Sequence, residues 1–184
     1  MNAYDFDKTI YINDSTADFY IFCIKKKPSL AFTLFTTAFA AVNYYVFKRG
    51  TKKEFKQKMY GFLTKIDASS LADEFWDKHI CGIKSFYLSQ QREDDVIISA
   101  SPEFLLKPIC NRLGIKHLIA SRVDPKTGIY CGENCHGKEK VRSFYERFPN
   151  GKVEQFYSDS HSDDPMAEIA DKSFLVKGEE LLPW

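Results

Sequence analysis

The sequence predicts an α/β fold in which a parallel sheet is covered by helices on both faces. Three observations carry the prediction. Segments 2–6, 96–100, 117–121, 154–158 and 173–176 are short and largely apolar, the pattern of strands buried on both sides. Stretches of helical periodicity such as 102–113 and 139–148 lie between them, so successive strands are joined by crossovers and run parallel. Asp5, Ser99 and Asp159 each fall at the end of such a segment. In open sheets of this kind ligands sit beyond the carboxyl ends of the strands, where residues far apart in the chain converge.

The first segment runs Asn2-Ala3-Tyr4-Asp5-Phe6-Asp7-Lys8-Thr9 and delivers two carboxylates into a Thr-containing turn. At a strand tip, positions i and i+2 project to the same side, so Asp5 and Asp7 share one site although their like charges oppose it. A divalent cation would relieve that repulsion, and phosphoryl chemistry is the use such a pair suggests. Residues 14–90 follow as a mainly helical insertion, opened by the N-cap-like Asp14-Ser15-Thr16 and followed by the charged turn Arg92-Glu93-Asp94-Asp95. Within it, 29–47 is a run of 19 residues without a charge, flanked by Lys25-Lys26-Lys27 and Lys48-Arg49. Its length suits a membrane span, but a single span would put Asp5 and Ser99 on opposite sides of the bilayer, so that topology is rejected. A helix apolar nearly all round is then buried in the core, at an oligomer contact, or against a membrane surface. Further on, 122–131, with Asp124-Pro125-Lys126-Thr127-Gly128 at its centre, is read as a small hairpin.

Composition narrows the class. With 184 residues the chain can bury a sizeable core, and a net charge of +1 argues against a broad nucleic-acid-binding face. Five cysteines without disulfide-scaffold density fit a reducing cytoplasm. Cys131 and Cys135 lack a second pair at structural-zinc spacing, so no zinc site is read from them. No signal peptide is expected, because Asp5 stands too near the start for one to be cleaved without losing the motif.

Four pieces, in order, carry a family resemblance: Asp5-Phe6-Asp7-Lys8-Thr9; Val96-Ile97-Ile98-Ser99-Ala100-Ser101; the lysine within Gly137-Lys138-Glu139-Lys140-Val141; and Tyr157-Ser158-Asp159-Ser160-His161-Ser162-Asp163-Asp164-Pro165. Together they make the chain resemble the haloacid dehalogenase (HAD) superfamily of phosphohydrolases, in its phosphoserine-phosphatase-like branch. The resemblance implies a Rossmann-like catalytic core formed by 1–13 and 91–184, with 14–90 as a helical cap. It implies that Asp5 is the nucleophile, forming an aspartyl-phosphate, and that Asp7 is the general acid and base. Ser99 would hydrogen-bond a phosphoryl oxygen and Lys140 would offset charge on the nucleophile and the transferring group, so both also bind substrate. Mg2+ is the implied cofactor, held by Asp5, Asp7 through its carbonyl, and Asp159, with Asp163 ordering the metal's waters and the lysine. Lys138 competes with Lys140 for the lysine's role; Lys140 is preferred because it opens the apolar pattern Val141, Phe144, Tyr145, Phe148.

Two departures bear on substrate. Asp14 stands where the family often has a glutamate that recognises the amino group of phosphoserine, one methylene shorter. Arg49 is the only arginine between Asp14 and Gln91, so no clear partner for a substrate carboxylate is seen. Lys8 and Asp164 are read as turn residues, and His161 as facing substrate or solvent. The sequence therefore predicts a Mg2+-dependent phosphomonoesterase acting on a small phosphorylated metabolite or a lipid phosphate, cytoplasmic or peripheral at the inner face of the membrane. Phosphoserine phosphatase proper is one alternative. A non-catalytic binding module of the same fold is another, although it would be expected to have lost Asp5 or Asp7.

Overall fold

A computed structural model of the chain describes residues 1–33, 38, 46 and 58–184. Most of 29–47, including Phe35 and Phe39, and the lysine-rich stretch 48–53 lie outside the described residues. Among the described residues no helix is long and apolar enough to cross a membrane.

Six strands form one sheet: β1 (Asn2–Tyr4), β2 (Val96–Pro102), β3 (His117–Ser121), β4 (Val153–Ser158), β5 (Ala170–Lys177) and β6 (Glu180–Pro183), in the order β3-β2-β1-β4-β5-β6. The first five pair in parallel, as the apolar segments and their helical crossovers imply. β6 departs from that expectation and runs antiparallel to β5, Leu175 facing Leu182 and Lys177 facing Glu180. Its cause is local: Gly178-Glu179 is a two-residue loop with Gly178 at φ 61, the Gly-X hairpin signature. An exposed edge strand carries no buried-strand signature, so its four residues give no strand signal in the sequence.

The strand period sorts the core onto two faces. Ala3, Val96, Ile98 and Phe156 point to one, where they meet Phe144 of α5 (Lys138–Arg147) and Met166 of α6 (Asp164–Ala167). Tyr4, Ile97 and Tyr157 point to the other, against Leu105, Leu106 and Ile109 of α4 (Glu103–Arg112). Tyr4 stacks on Tyr157 with ring centroids 4.6 Å apart and meets Tyr87 of α3 (Ser85–Gln90) edge-on at 5.0 Å.

The described part of the insertion supplies α1 (Ser15–Lys26) and α2 (Ala68–His79), whose Asp14 and Asp67 side chains cap the first turns by accepting from Ala17 N–H and Ser70 N–H. α2 is tied to the rest through Trp76, fully buried against Phe6 and Tyr11, with its indole N–H donating to Leu105 O at 2.6 Å. The hairpin at 122–131 forms, Val123 bridging Tyr130, and it also abuts the insertion. A Cβ on Gly128 would lie 2.5 Å from Tyr60 O, and Gly128 has φ 73, so glycine is required there twice over.

Candidate active site

β1 and β4 are neighbours at the point where the strand order reverses, the place where an open sheet leaves a crevice at its carboxyl edge. Asp5 N–H donates to Tyr157 O at 2.9 Å, carrying the ladder one residue past β1, so Asp5 leaves the sheet at that edge. Phe6 is buried, and its carbonyl accepts from both Ile10 N–H and Tyr11 N–H, which closes the chain into a loop over the strand end. Asp7 stands at the start of this loop. Its Oδ1 accepts from Ser15 N–H, in the first turn of α1, at 2.8 Å, and its Oδ2 accepts from the Ser101 hydroxyl.

Lys140 is delivered from the other face. Gly137, at φ 59, turns the chain into α5, and the third residue of that helix is Lys140, only 1% exposed. Its ammonium donates to Asp5 Oδ1 and to Asp163 Oδ2, each at 2.6 Å, and Ser158 donates to the same Asp163 oxygen at 2.8 Å. A lysine so deep is tolerated because it is paired on two sides. Burial works against its charge, but the two carboxylates outweigh that and hold the ammonium protonated. Burial also raises Asp5 above the ordinary carboxylate range; Lys140 opposes this, while Asp163 and Asp7 add to it. Asp7 is raised by burial first and by the charge of Asp14 second, against the hydrogen bonds from Ser101 and Ser15. Asp159 is raised by burial, with Lys8 opposing.

Asp5, Asp7, Asp14, Ser99, Lys140, Asp159 and Asp163 all line one cavity of about 420 Å³. Lys138, the competing lysine, is exposed and absent from that lining. Asp14 is at the rim, with Oδ1 engaged in capping α1. His161 is exposed and its Nδ1 lies 3.1 Å from Asp164 Oδ1, while Asp164 opens α6 just before Pro165. Lys8 is the exposed turn residue expected, and it also lines the cavity and acts electrostatically on Asp159.

Among the lining residues not anticipated as site residues are Ser101, Thr16, Tyr60 and His136. Ser101 had a signal, since it lies two after Ser99 on the same strand; its N–H donates to Ser99 Oγ at 3.1 Å. Thr16 meets the Ser101 hydroxyl at 3.1 Å. Tyr60 lies in the insertion, packed against Gly128 of the hairpin, and His136 directly precedes the Gly137 turn; neither belongs to the four family pieces.

Among the described residues no three His, Cys, Asp or Glu side chains are gathered closely enough to enclose a metal unaided. Mg2+ does not need such a cage: it takes one or two carboxylates and completes its shell with other oxygens and water. Asp5 and Asp159 line the same cavity and would offer it carboxylate oxygens, and Asp163 Oδ1 is buried without a hydrogen-bond partner, an acceptor suited to a metal-bound water. The residues fit the cation.

Fold and site together define an α/β protein with an acidic, lysine-anchored cleft at the carboxyl edge of its sheet. The chain belongs to the haloacid dehalogenase-like hydrolase family, whose model matches residues 3–168. It is 28% identical over 190 residues to the protein CicA of Caulobacter vibrioides, covering 92% of this chain and 82% of that one. It is 28% identical over 127 residues to a probable phosphatase of Mycobacterium tuberculosis, covering 65% of this chain but 41% of the relative. Among solved structures, a Bordetella pertussis protein of unknown function superposes with a TM-score of 0.77 at 19% identity, covering 95% of this chain and 88% of that one. A phosphoserine phosphohydrolase-like protein of Francisella tularensis superposes at 0.59 with 16% identity, covering 97% and 88%. These likenesses confirm the α/β architecture.

Proposed function

We propose that the chain is a Mg2+-dependent phosphomonoesterase that hydrolyses a small phosphorylated molecule through an aspartyl-phosphate on Asp5. The observation that carries this reading is the Asp5–Lys140–Asp163 bridge, beside an Asp7 whose carboxylate is held from two sides. Lys140 fixes Asp5 Oδ1 and leaves the other oxygen for phosphorus. Attack forms the Asp5–phosphorus bond as the bond to the leaving oxygen breaks, and Asp7 gives that oxygen its proton. Water then attacks the same phosphorus, Asp7 takes its proton, and phosphate departs with Asp5 restored. Ser99 and Lys140 offset charge on the transferring group. Bound Mg2+ would neutralise the charge between the Asp5 carboxylate and the incoming phosphate dianion.

The test is hydrolysis of an aryl phosphate before and after chelation. Turnover lost with chelator and restored by added Mg2+ supports the reading; full turnover in chelator overturns the metal's part in it. Phosphoserine in the same assay separates a phosphoserine phosphatase from a broader phosphomonoesterase.

Asp7 makes a second prediction. To act as an acid it must carry its proton, and burial raises its pKa, so the protonated form persists toward neutral pH. That form is depleted as pH rises through the folded-state value, so the rate should fall on the alkaline side. Asp7→Asn should remove that limb and cost about 10²- to 10⁴-fold in kcat, most for alkyl phosphates and least for aryl phosphates with good leaving groups. An equal loss on every leaving group would remove Asp7 from the acid's role.

A further inference from the structure

Lys84 is a second buried lysine and has a different kind of partner. It is 4% exposed, and among the described residues its ammonium makes a single hydrogen bond, to the carbonyl of Lys8, 76 positions earlier. Lysines are rarely this buried unless they meet an anion. Asp159 and Glu179 act on Lys84 electrostatically, but Glu179 is occupied in accepting from Ser85 N–H, Ser85 Oγ and Phe86 N–H. The charge of Lys84 is therefore directed at a peptide oxygen.

That peptide follows Asp7. Lys8 has φ 59 and is the one non-glycine residue at positive φ among the described residues, a conformation that L side chains adopt rarely. Its N–H donates to Asn13 O at 3.0 Å, so the turn is pinned at its N–H by Asn13 and at its carbonyl by Lys84. The backbone around Lys84 is laced to the same loop. Lys84 N–H donates to Ile10 O at 2.8 Å, Ile12 N–H donates to Gly82 O at 3.0 Å, and Tyr11 bridges Ile83. Gly82 packs against the Tyr11 ring, where a Cβ would come within 2.6 Å of Cε2. The staple thus reaches from Ile10 to Ile12, and the ammonium extends it back to Lys8, next to the proposed acid.

We propose that Lys84 is a positioning residue for Asp7: by clamping the Lys8 carbonyl it holds the left-handed turn that aims the acid–base carboxylate at the leaving oxygen. The inference rests on the phosphomonoesterase reading and deepens it. Asp5, Ser99 and Lys140 are held by β1, β2 and α5, so loss of the clamp should leave the phosphate's own subsite intact while Asp7 loses its aim.

The test compares the full-length wild type with Lys84→Met and Lys84→Arg on phosphate esters of graded leaving-group ability, with inhibition by inorganic phosphate measured alongside. Lys84→Met is expected to lower kcat about tenfold or more on an alkyl phosphate and only about threefold on an aryl phosphate with a good leaving group, with the phosphate inhibition constant within about twofold of wild type. Lys84→Arg, which keeps a cationic donor, should recover most of the loss. A Lys8→Gly background should shrink the effect of Lys84→Met, because glycine takes positive φ without a clamp. The same background carries the comparison if Lys84→Met alone does not fold. A uniform loss across leaving groups with weakened phosphate inhibition would overturn the proposal in favour of general disruption, and an unchanged kcat would overturn it outright. Absence of turnover by the wild type on every ester would instead overturn the phosphatase reading.

Discussion

Asp5→Asn is expected to reduce turnover of any phosphomonoester by at least about 10³-fold while leaving the protein folded. The amide cannot attack phosphorus, so the loss falls on kcat. The fold should tolerate the change because Lys140 keeps Asp163 as its second partner, 2.6 Å away. The replaced group is also a carboxylate whose charge is opposed by burial and by two like-charged neighbours. Removing that charge should tighten the binding of inorganic phosphate, since the dianion no longer meets a carboxylate at the point of contact. Calorimetric titration with phosphate and a thermal melt check both halves. Activity within tenfold of wild type would show that Asp5 is not the nucleophile, and an unfolded variant would show that the cluster is structurally indispensable.

Much of the fold and of the candidate site is legible in the sequence itself. Asp5 and Asp7 are legible as a pair from their spacing at a strand end, and Asp159 follows a strand whose apolar run identifies it. Ser99, expected at the end of its strand, instead lies inside β2, which runs on to Pro102 after a register shift. The choice of Lys140 over Lys138 came from helical phase: the residue in register with Val141, Phe144 and Phe148 faces inward, and the structure places its ammonium between two carboxylates. β6 was not legible, because an exposed two-sided edge strand has no periodicity to detect. Tyr60 and Lys84 were missed for another reason. Each acts through a contact with residues distant in the chain, Tyr60 against the Gly128 turn and Lys84 on the Lys8 carbonyl, and no local pattern encodes such a pairing. The uncharged run 29–47 remains an expectation, since most of it lies outside the described residues.

Lys140→Met should be as damaging to catalysis as loss of the nucleophile, and damaging to the fold as well. The ammonium is the shared counter-ion of Asp5 and Asp163, both nearly buried. Deleting one member of a buried ionic cluster costs about 3–5 kcal/mol, because the partners stay in the interior without compensation. The cost should depend on pH in a definite direction. In the wild type Lys140 has a folded-state pKa above its unfolded value, so its contribution is fully present at neutral pH and is lost only in strong alkali. Asp5 has a raised folded-state pKa, and Lys140 is the main influence holding it down, so the variant's Asp5 should rise further still. A carboxyl with a raised pKa stabilises the folded state at low pH, and that contribution fades as pH climbs through the folded value. The variant should therefore lie closest to wild type near pH 5, where Asp5 keeps its proton, and have fallen behind near pH 8, where wild-type Asp5 ionises against Lys140 while the variant must either keep that carboxyl protonated or ionise it without a counter-ion. Urea unfolding of both proteins at the two pH values measures this. A deficit independent of pH would mean that the lysine's packing, and not its charge, holds the cluster together.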